Sequence, residues 1–209
     1  MATDPAVRRK EMREALNRAL ILDAAEEAFA EGGYEGASLR DIAARAGFSS
    51  GALYLFFENK DDLYAQTLLR RGTELVEAVD KIARGEGSPL WRLHEIADVA
   101  LAFYRQWPHF GRMVARAQAT VYGSSLTSWA VNPNPGVRAA YERAMRLEAE
   151  IVREGQQLGE IRPGDHGGLA HLFSVLVSAF ITVGRPAGSD GGLTDDEMHE
   201  IVDRLLRRI

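Results

Sequence analysis

Apolar residues recur at helical spacing along nearly the whole chain, and no stretch of the sequence alternates convincingly between apolar and polar residues. The pattern is clearest at the C-terminus, where Thr194 and Glu197 also form a capping-box signature. There the apolar positions i, i+3, i+4, i+7, i+8 and i+11 are Met198, Ile201, Val202, Leu205, Leu206 and Ile209. This periodicity predicts an all-α chain, and the glycine and proline clusters divide it into about nine helices.

The first predicted helix covers about residues 5–31 and carries Ile21 and Phe29 on one face. Gly32 and Gly33 should end it, because glycine adopts a left-handed conformation without the steric cost of a Cβ atom. Tyr34 follows and is well placed to pack back on that face.

Two short helices are predicted next. Ser38 can cap the first of them, with Asp41 three residues later. Gly47 lies where a left-handed turn is required, and Ser49 can cap a second helix from Ser50 to about residue 57. Two short helices joined by a glycine-centred turn form a helix-turn-helix.

The side chains of this motif divide into two sets. Apolar residues such as Ile42, Leu53 and Phe57 should fill the wedge between the helices. The residues left pointing away from that wedge are Ser38, Arg40, Ser50, Gly51, Ala52 and Tyr54.

The N-terminal segment resembles the TetR family of bacterial transcription regulators over about residues 15–65. The resemblance is carried by residues 21–34, 38–43, 46–47 and 53–54, together with Phe57 and Lys60. It implies an N-terminal three-helix DNA-binding domain with the helix-turn-helix at residues 1–62. A larger helical ligand-binding and dimerisation domain would follow at residues 63–209.

The resemblance also implies roles for single residues. Tyr54 and Lys60 would contact DNA phosphates, while Arg40 would face base edges. The alternatives are a core tyrosine, a solvated lysine and a plain surface arginine. The full set of expected DNA-binding residues is Ser38, Arg40, Ser49, Ser50, Gly51, Ala52, Tyr54 and Lys60.

Aromatic residues and methionines with a few polar groups follow in the second region, as in a small-molecule pocket, although a helical core has the same composition. Arg116 could pair with an acidic ligand or form a structural salt bridge. We expect a hydrophobic or aromatic effector rather than a sugar or nucleotide. The candidate ligand-binding residues are Phe103, Trp107, Phe110, Met113, Arg116, Tyr122, Tyr141 and Met145.

The uncharged stretch at residues 169–184 is too apolar to face water. With the C-terminal helix it could form a four-helix bundle with a second copy of the chain, or it could simply close the core of one molecule. The candidate interface residues of a homodimer are Ser174, Ser178, Ile181, Met198, Ile201 and Leu205.

Composition narrows the function further. The net charge of -5 argues against a protein that coats DNA, but not against one that binds a specific site, because five basic residues crowd residues 8–18. The absence of cysteine and of an N-terminal apolar segment favours a cytoplasmic protein. No apolar stretch reaches the length of a membrane span.

We therefore expect a repressor that binds an inverted-repeat operator in double-stranded DNA and is released by a small hydrophobic effector. The five histidines show no metal-binding spacing, so we expect no metal, no cofactor and no catalytic residues. The alternatives are a helical small-molecule carrier or adaptor, or an enzyme on a helical scaffold.

Overall fold

The computed structural model describes residues 4–114, 134–183 and 194–208. Within these ranges every regular element is a helix, and β-pairing is limited to an isolated bridge between Ile161 and Arg207. The all-α prediction is confirmed. The chain divides into two compact units, Met1–Leu68 and Leu69–Ile209.

Eight helices have defined bounds, and residues 108–114 are also helical. The helices are α1 (Pro5–Gly36), α2 (Leu39–Arg45), α3 (Ser50–Leu53), α4 (Lys60–Ala83), α5 (Pro89–Gln106), α6 (Pro135–Leu158), α7 (His166–Val183) and α8 (Asp195–Leu206). The division between the two units falls inside α4, after Leu68, whereas the sequence suggested residue 62.

The N-terminal unit is built on one face of α1, where Ile21 and Phe29 are buried as the periodicity predicted. The helix runs to Gly36 rather than to residue 31, with a kink at Gly33, whose φ of 69° is in the left-handed region. Tyr34 packs back as expected, with its ring stacked at 6.4 Å from Phe29 and edge-on at 5.3 Å from Tyr64.

In the C-terminal unit, α6 packs against α5 and α7, and α8 also contacts α5 and α7. The apolar faces of these four helices form one core. Its fully or nearly fully buried members are Leu93, Ile96, Ile151, Val152, Phe173, Val177, Met198, Val202 and Leu206.

Helix α8 begins as the sequence predicts, because Thr194 and Glu197 form the complete capping box. Polar contacts also join α8 to α5. His94 Nε2 lies 3.0 Å from Asp203 Oδ1, and His199 Nε2 lies 2.8 Å from Asp98 Oδ1. The two imidazole rings stack with their centroids 4.5 Å apart.

Helix α7 contains most of the uncharged apolar stretch noted in the sequence. Among the described residues, no helix has both the length and the apolar character required to cross a lipid bilayer.

Candidate functional site

The helix-turn-helix is held together by short local hydrogen bonds. The Ser38 hydroxyl accepts from the amide of Asp41 at 3.1 Å, and the Ser49 hydroxyl accepts from the amide of Ala52 at 3.2 Å. Between the two helices, Gly47 has a φ of 78°. The left-handed residue lets the Phe48 amide donate to the Ala43 carbonyl at 2.8 Å, which closes the turn.

Helix α3 is shorter than predicted. It ends at Leu53 rather than near residue 57. The reason is local geometry: the amides of Leu55 and Phe56 donate to carbonyls three residues back, which is the tighter pattern of a terminal turn. Tyr54 is therefore the C-cap of α3.

Several residues of the helix-turn-helix are exposed to solvent and can contact another molecule. The side chain of Arg40 is 87% exposed, and Ser50, Gly51 and Tyr54 are also exposed, while Ala52 is partly buried. The sequence analysis missed Leu55, which is 82% exposed beside Tyr54.

Lys60 is the first residue of α4, where the resemblance places a phosphate contact. Its ammonium lies 4.5 Å from the centroid of the Tyr34 ring and 3.4 Å from the carbonyl oxygen of Glu35. The Tyr34 hydroxyl donates to Asp61, and this bond raises the pKa of Tyr34 to about 12. Lys60 thus lies over a neutral aromatic ring, which restricts the position of its charge.

The basic residues of α1 differ in their contacts. Arg18 donates to the Phe56 carbonyl at 3.0 Å and to Gln66, with its guanidinium 4.7 Å from the Phe57 ring centroid. Arg18 therefore supports the core of the N-terminal unit. Arg9 and Arg13, by contrast, are exposed.

The aromatic candidates of the C-terminal unit form two groups. Phe103 and Phe110 pack edge to face at 5.9 Å, and Phe110 and Met113 are buried. The guanidinium of Arg71 lies over the ring of Trp107, with the Arg71 Cζ atom 3.3 Å from the ring centroid.

The second group lies on α6 and α7. The Tyr141 hydroxyl is 3.4 Å from Nδ1 of His171, and Met145 is partly buried one turn further along α6. Arg116 and Tyr122 lie outside the described residues.

The sequence analysis also missed a buried polar cluster formed by Tyr104 on α5, Glu148 on α6 and Ser178 on α7. Tyr104 and Ser178 are hydrogen-bonded to each other, and the carboxyl of Glu148 lies near Tyr104. Glu148 is 5% exposed, and within the described part of the chain its Oε2 atom has no hydrogen-bond partner. Burial raises the pKa of Glu148 to about 8, so its carboxyl is mostly neutral at pH 7.

A separate cavity of about 470 Å³ lies between α5, α6 and the end of α4. Two of its three arginines are paired with carboxylates: Arg84 bonds Asp80 at 3.0 Å, and Arg92 bonds Glu154 at 2.5 Å. These pairs compensate the charge, and we assign this cavity no ligand. Over residues 4–114, 134–183 and 194–208, no cluster of histidine and carboxylate side chains is arranged to hold a metal ion.

The candidate dimer residues do not share one environment. Ser178 and Met198 are buried inside a single chain, so we leave them out of the proposed interface. Ser174, Ile201 and Leu205 are partly buried, and the side chain of Ile181 lies outside the described part of the molecule. Helix α7 has another apolar face, on which Leu172 and Ala179 are exposed and Val175 and Leu176 are partly buried.

Comparison with known proteins assigns the motif to a family. Residues 21–67 match the model of bacterial regulatory proteins of the tetR family. Over 145 residues the chain is 34% identical to the fatty acid metabolism regulator protein of Bacillus subtilis (strain 168). This aligned region covers 69% of this chain and 70% of that protein. Other curated relatives match over 78 residues, which is 36% of this chain and 41% of their own length.

Solved structures share the fold. The regulator AibR in complex with isovaleryl coenzyme A and operator DNA superposes with a TM-score of 0.71 at 24% identity, over 90% of this chain and 97% of that one. The transcriptional regulator FadR from Bacillus subtilis, in complex with stearoyl-CoA, gives a TM-score of 0.70 at 19% identity, over 90% and 97%.

Proposed function

This chain belongs to the tetR family of bacterial regulatory proteins, and we propose that it represses transcription from an inverted-repeat operator until a small acyl effector releases it. It is a DNA-binding transcription regulator, as its relatives are. The proposal concerns the sign of regulation, the symmetry of the operator and the effector.

The observation that carries the proposal is the exposed surface of the helix-turn-helix. Two short helices with serine caps, joined at Gly47, present Arg40 and Tyr54 to solvent beside the small residues Ser50 and Gly51. Arg40 is able to bind guanine through two hydrogen bonds, and the small residues permit close approach to the major groove. Tyr54 and Lys60 would contact phosphates on either side.

We propose a homodimer formed through α7 and α8. Helix α7 offers the exposed Leu172 with the partly buried Val175 and Leu176, and α8 adds Ile201 and Leu205, which are also partly buried. Burying such a face against its copy is favourable, since apolar surface leaves water. A twofold dimer would present two recognition helices to successive major grooves, about 34 Å apart.

For the effector, we propose an acyl group carried as a coenzyme A thioester. Two structurally similar proteins hold isovaleryl coenzyme A and stearoyl-CoA. In this chain, Phe103 and Phe110 offer an apolar surface, and the neutral carboxyl of Glu148 can donate a hydrogen bond to an acyl carbonyl. The hydrophobic part fits the sequence-based expectation, whereas the nucleotide of coenzyme A was not expected.

The proposal assigns the protein no enzymatic activity and places it in the cytoplasm, where bacterial DNA lies. The effector would act by favouring a state of the dimer that binds operator less tightly. Such coupling is reciprocal, so operator DNA must weaken effector binding by the same factor.

Selection of DNA from a random pool by the purified protein tests the proposed binding to an inverted-repeat operator. We expect an inverted repeat, retarded only when both half-sites are present. Arg40→Ala should relax the preference at one base pair per half-site, at a cost of about 1–3 kcal/mol. Tyr54→Phe and Lys60→Ala should instead weaken binding to all sequences alike. If the selection recovers no specific DNA sequence although the protein binds an effector, the result would favour a small-molecule carrier.

The proposed effector is tested by adding isovaleryl-CoA, stearoyl-CoA or free coenzyme A to the complex of the protein with the selected operator and measuring release of the DNA. We expect at least one thioester to release the DNA, and free coenzyme A to leave it bound. Glu148→Leu should weaken the effective thioester about tenfold, while Glu148→Gln, which keeps a donor, and the surface control Glu150→Gln should not. Release by free coenzyme A alone would contradict the assignment of the acyl site.

A further inference from the structure

The outer surface of α1 carries a row of exposed residues outside the face that is buried in its own unit. Their spacing alternates between four and three positions, which is the seam of a helix that pairs with another helix. All six are exposed: Arg9, Arg13, Leu16, Leu20, Asp23 and Glu27.

This row, the α1 seam, lies opposite the face that packs into the N-terminal unit. At 3.6 residues per turn, Leu16 and the buried Ala25 are about 180° apart around the helix. Leu16 is 61% exposed and Leu20 is 44% exposed. Leu16 and Leu20 lie next to each other at the centre of an otherwise charged seam, and the described part of the chain leaves both largely exposed to solvent.

The charges of the α1 seam have a definite order. Its first two members are arginines and its last two are carboxylates, with the leucines between them. A second copy running antiparallel, with the twofold axis near residue 18, places Arg9 opposite Glu27 and Arg13 opposite Asp23 of that copy. Leu16 then meets Leu20 of the second copy, so every position of the seam finds a complementary one.

We propose that the α1 seam docks antiparallel on the α1 seam of a second copy of this chain and thereby joins neighbouring DNA-bound dimers. A parallel arrangement would set like charges against each other. DNA is a poor partner for the same surface, because Asp23 and Glu27 would repel phosphates. The self-complementary order of charge fits another copy of this helix at both ends.

The contact is weak on its own. Exposed ion pairs contribute little each, and two leucines per helix bury a small area. It becomes effective when adjacent operator sites hold two dimers close together, because tethering raises the effective concentration to about the millimolar range. Self-association in solution does not depend on the proposed function, whereas its effect on adjacent sites does.

Sedimentation equilibrium of the full-length protein at low salt tests the association. Wild type should associate reversibly beyond its basal oligomer as concentration rises, and Leu16→Lys should abolish this step. The control Leu158→Lys, at an exposed leucine of α6, should leave it intact. Absence of concentration dependence in wild type would overturn the proposal while leaving operator binding untouched.

Charge reversal tests the pairing itself. Arg13→Asp and Asp23→Arg should each weaken association by about tenfold, because each places two like charges opposite one another in both halves of the contact. The double variant should restore it. Failure of the double variant to recover association would refute the pairing of these two positions.

Disulfide trapping tests the orientation, since the chain has no cysteine of its own. Under mild oxidation, Arg9→Cys combined with Glu27→Cys should link two copies. Arg9→Cys alone should not, because the two copies of position 9 would lie about 27 Å apart. Rapid linking of the single variant would show parallel pairing and exclude the antiparallel contact.

Discussion

In the N-terminal unit most of the candidate DNA-binding residues are exposed, and hydrogen bonds between residues three positions apart set the helices that carry them. In the C-terminal unit the polar cluster of Tyr104, Glu148 and Ser178 is buried, and its members come from three different helices. A surface that touches a large partner can be specified by local caps and a turn. A buried polar site exists only when distant segments pack together.

This contrast has an energetic side. The exposed groups of the helix-turn-helix keep their water until DNA replaces it, so they cost the folded chain little. A buried carboxyl such as Glu148 loses its hydration on folding, and its charged form is therefore disfavoured. The C-terminal unit should consequently depend on pH in a way that the N-terminal unit does not.

The largest expected effect tests this pH dependence. The Glu148 pKa rises from 4.5 in the unfolded chain to about 8 in the folded one. Between these values the unfolded state binds fewer protons, so the free energy of unfolding falls as pH rises. Across the window, wild type should lose up to about 5 kcal/mol relative to Glu148→Gln.

Urea unfolding followed by tryptophan fluorescence measures the effect, because Trp91, Trp107 and Trp129 all belong to the C-terminal unit. Glu150→Gln, on the solvent side of the same helix, serves as the control. If the free energy of unfolding depends on pH in the same way in wild type and in Glu148→Gln, the buried carboxyl does not cause the pH dependence of the C-terminal unit.

A smaller effect is expected in the N-terminal unit at Gly47. A Cβ atom there would meet nothing within 4 Å, so the cost of Gly47→Ala is purely conformational and follows from the φ of 78°. We expect a loss of about 1–2 kcal/mol in the stability of the helix-turn-helix. Amide hydrogen exchange in α2 and α3 measures it.

Gly36→Ala is the matched control, since a Cβ atom at Gly36 also meets nothing within 4 Å and its φ is not in the left-handed region. The tryptophan-detected transition should be unchanged in both variants. Equal exchange rates for the two alanine variants would show that the turn does not require a left-handed residue.

The smallest effect is expected where α5 meets α8. Desolvation lowers the pKa of His94, although Asp203 beside it acts in the opposite direction, and His199 and Asp98 also face it. Below the unfolded value of 6.5 the unfolded chain binds more protons than the folded one, so stability falls as pH falls through that value. His94→Asn should flatten this acid-side slope, and stability curves that keep the same slope would contradict it.

Much of the fold was predictable because its signals are local. The serine caps at Ser38 and Ser49, the capping box at Thr194 and the turn at Gly47 each depend on residues within five positions of one another. The family resemblance rested on the same segment and is confirmed. The assignment of single residues to DNA, effector and dimer contacts remains a prediction.

Other features were not predictable from spacing. Helix α3 looked longer because Phe57 continues its apolar period, yet the chain leaves the helix at Tyr54 and exposes Leu55. Ser178 and Met198 looked suited to a dimer interface, but both pack inside one molecule. Periodicity identifies the apolar face of a helix without telling whether that face meets its own chain or another.

The sequence by itself determined the helical class, the caps at Ser38, Ser49 and Thr194 and the order of charge along α1, because each is a property of residues that are close in the chain. The tertiary structure alone decided that Glu148 lies beside Tyr104 and that Lys60 lies over the Tyr34 ring. These placements depend on which helices pack together and at what rotation. Burial, and with it the pKa of a carboxyl, is set by those neighbours rather than by the residue's own position in the sequence.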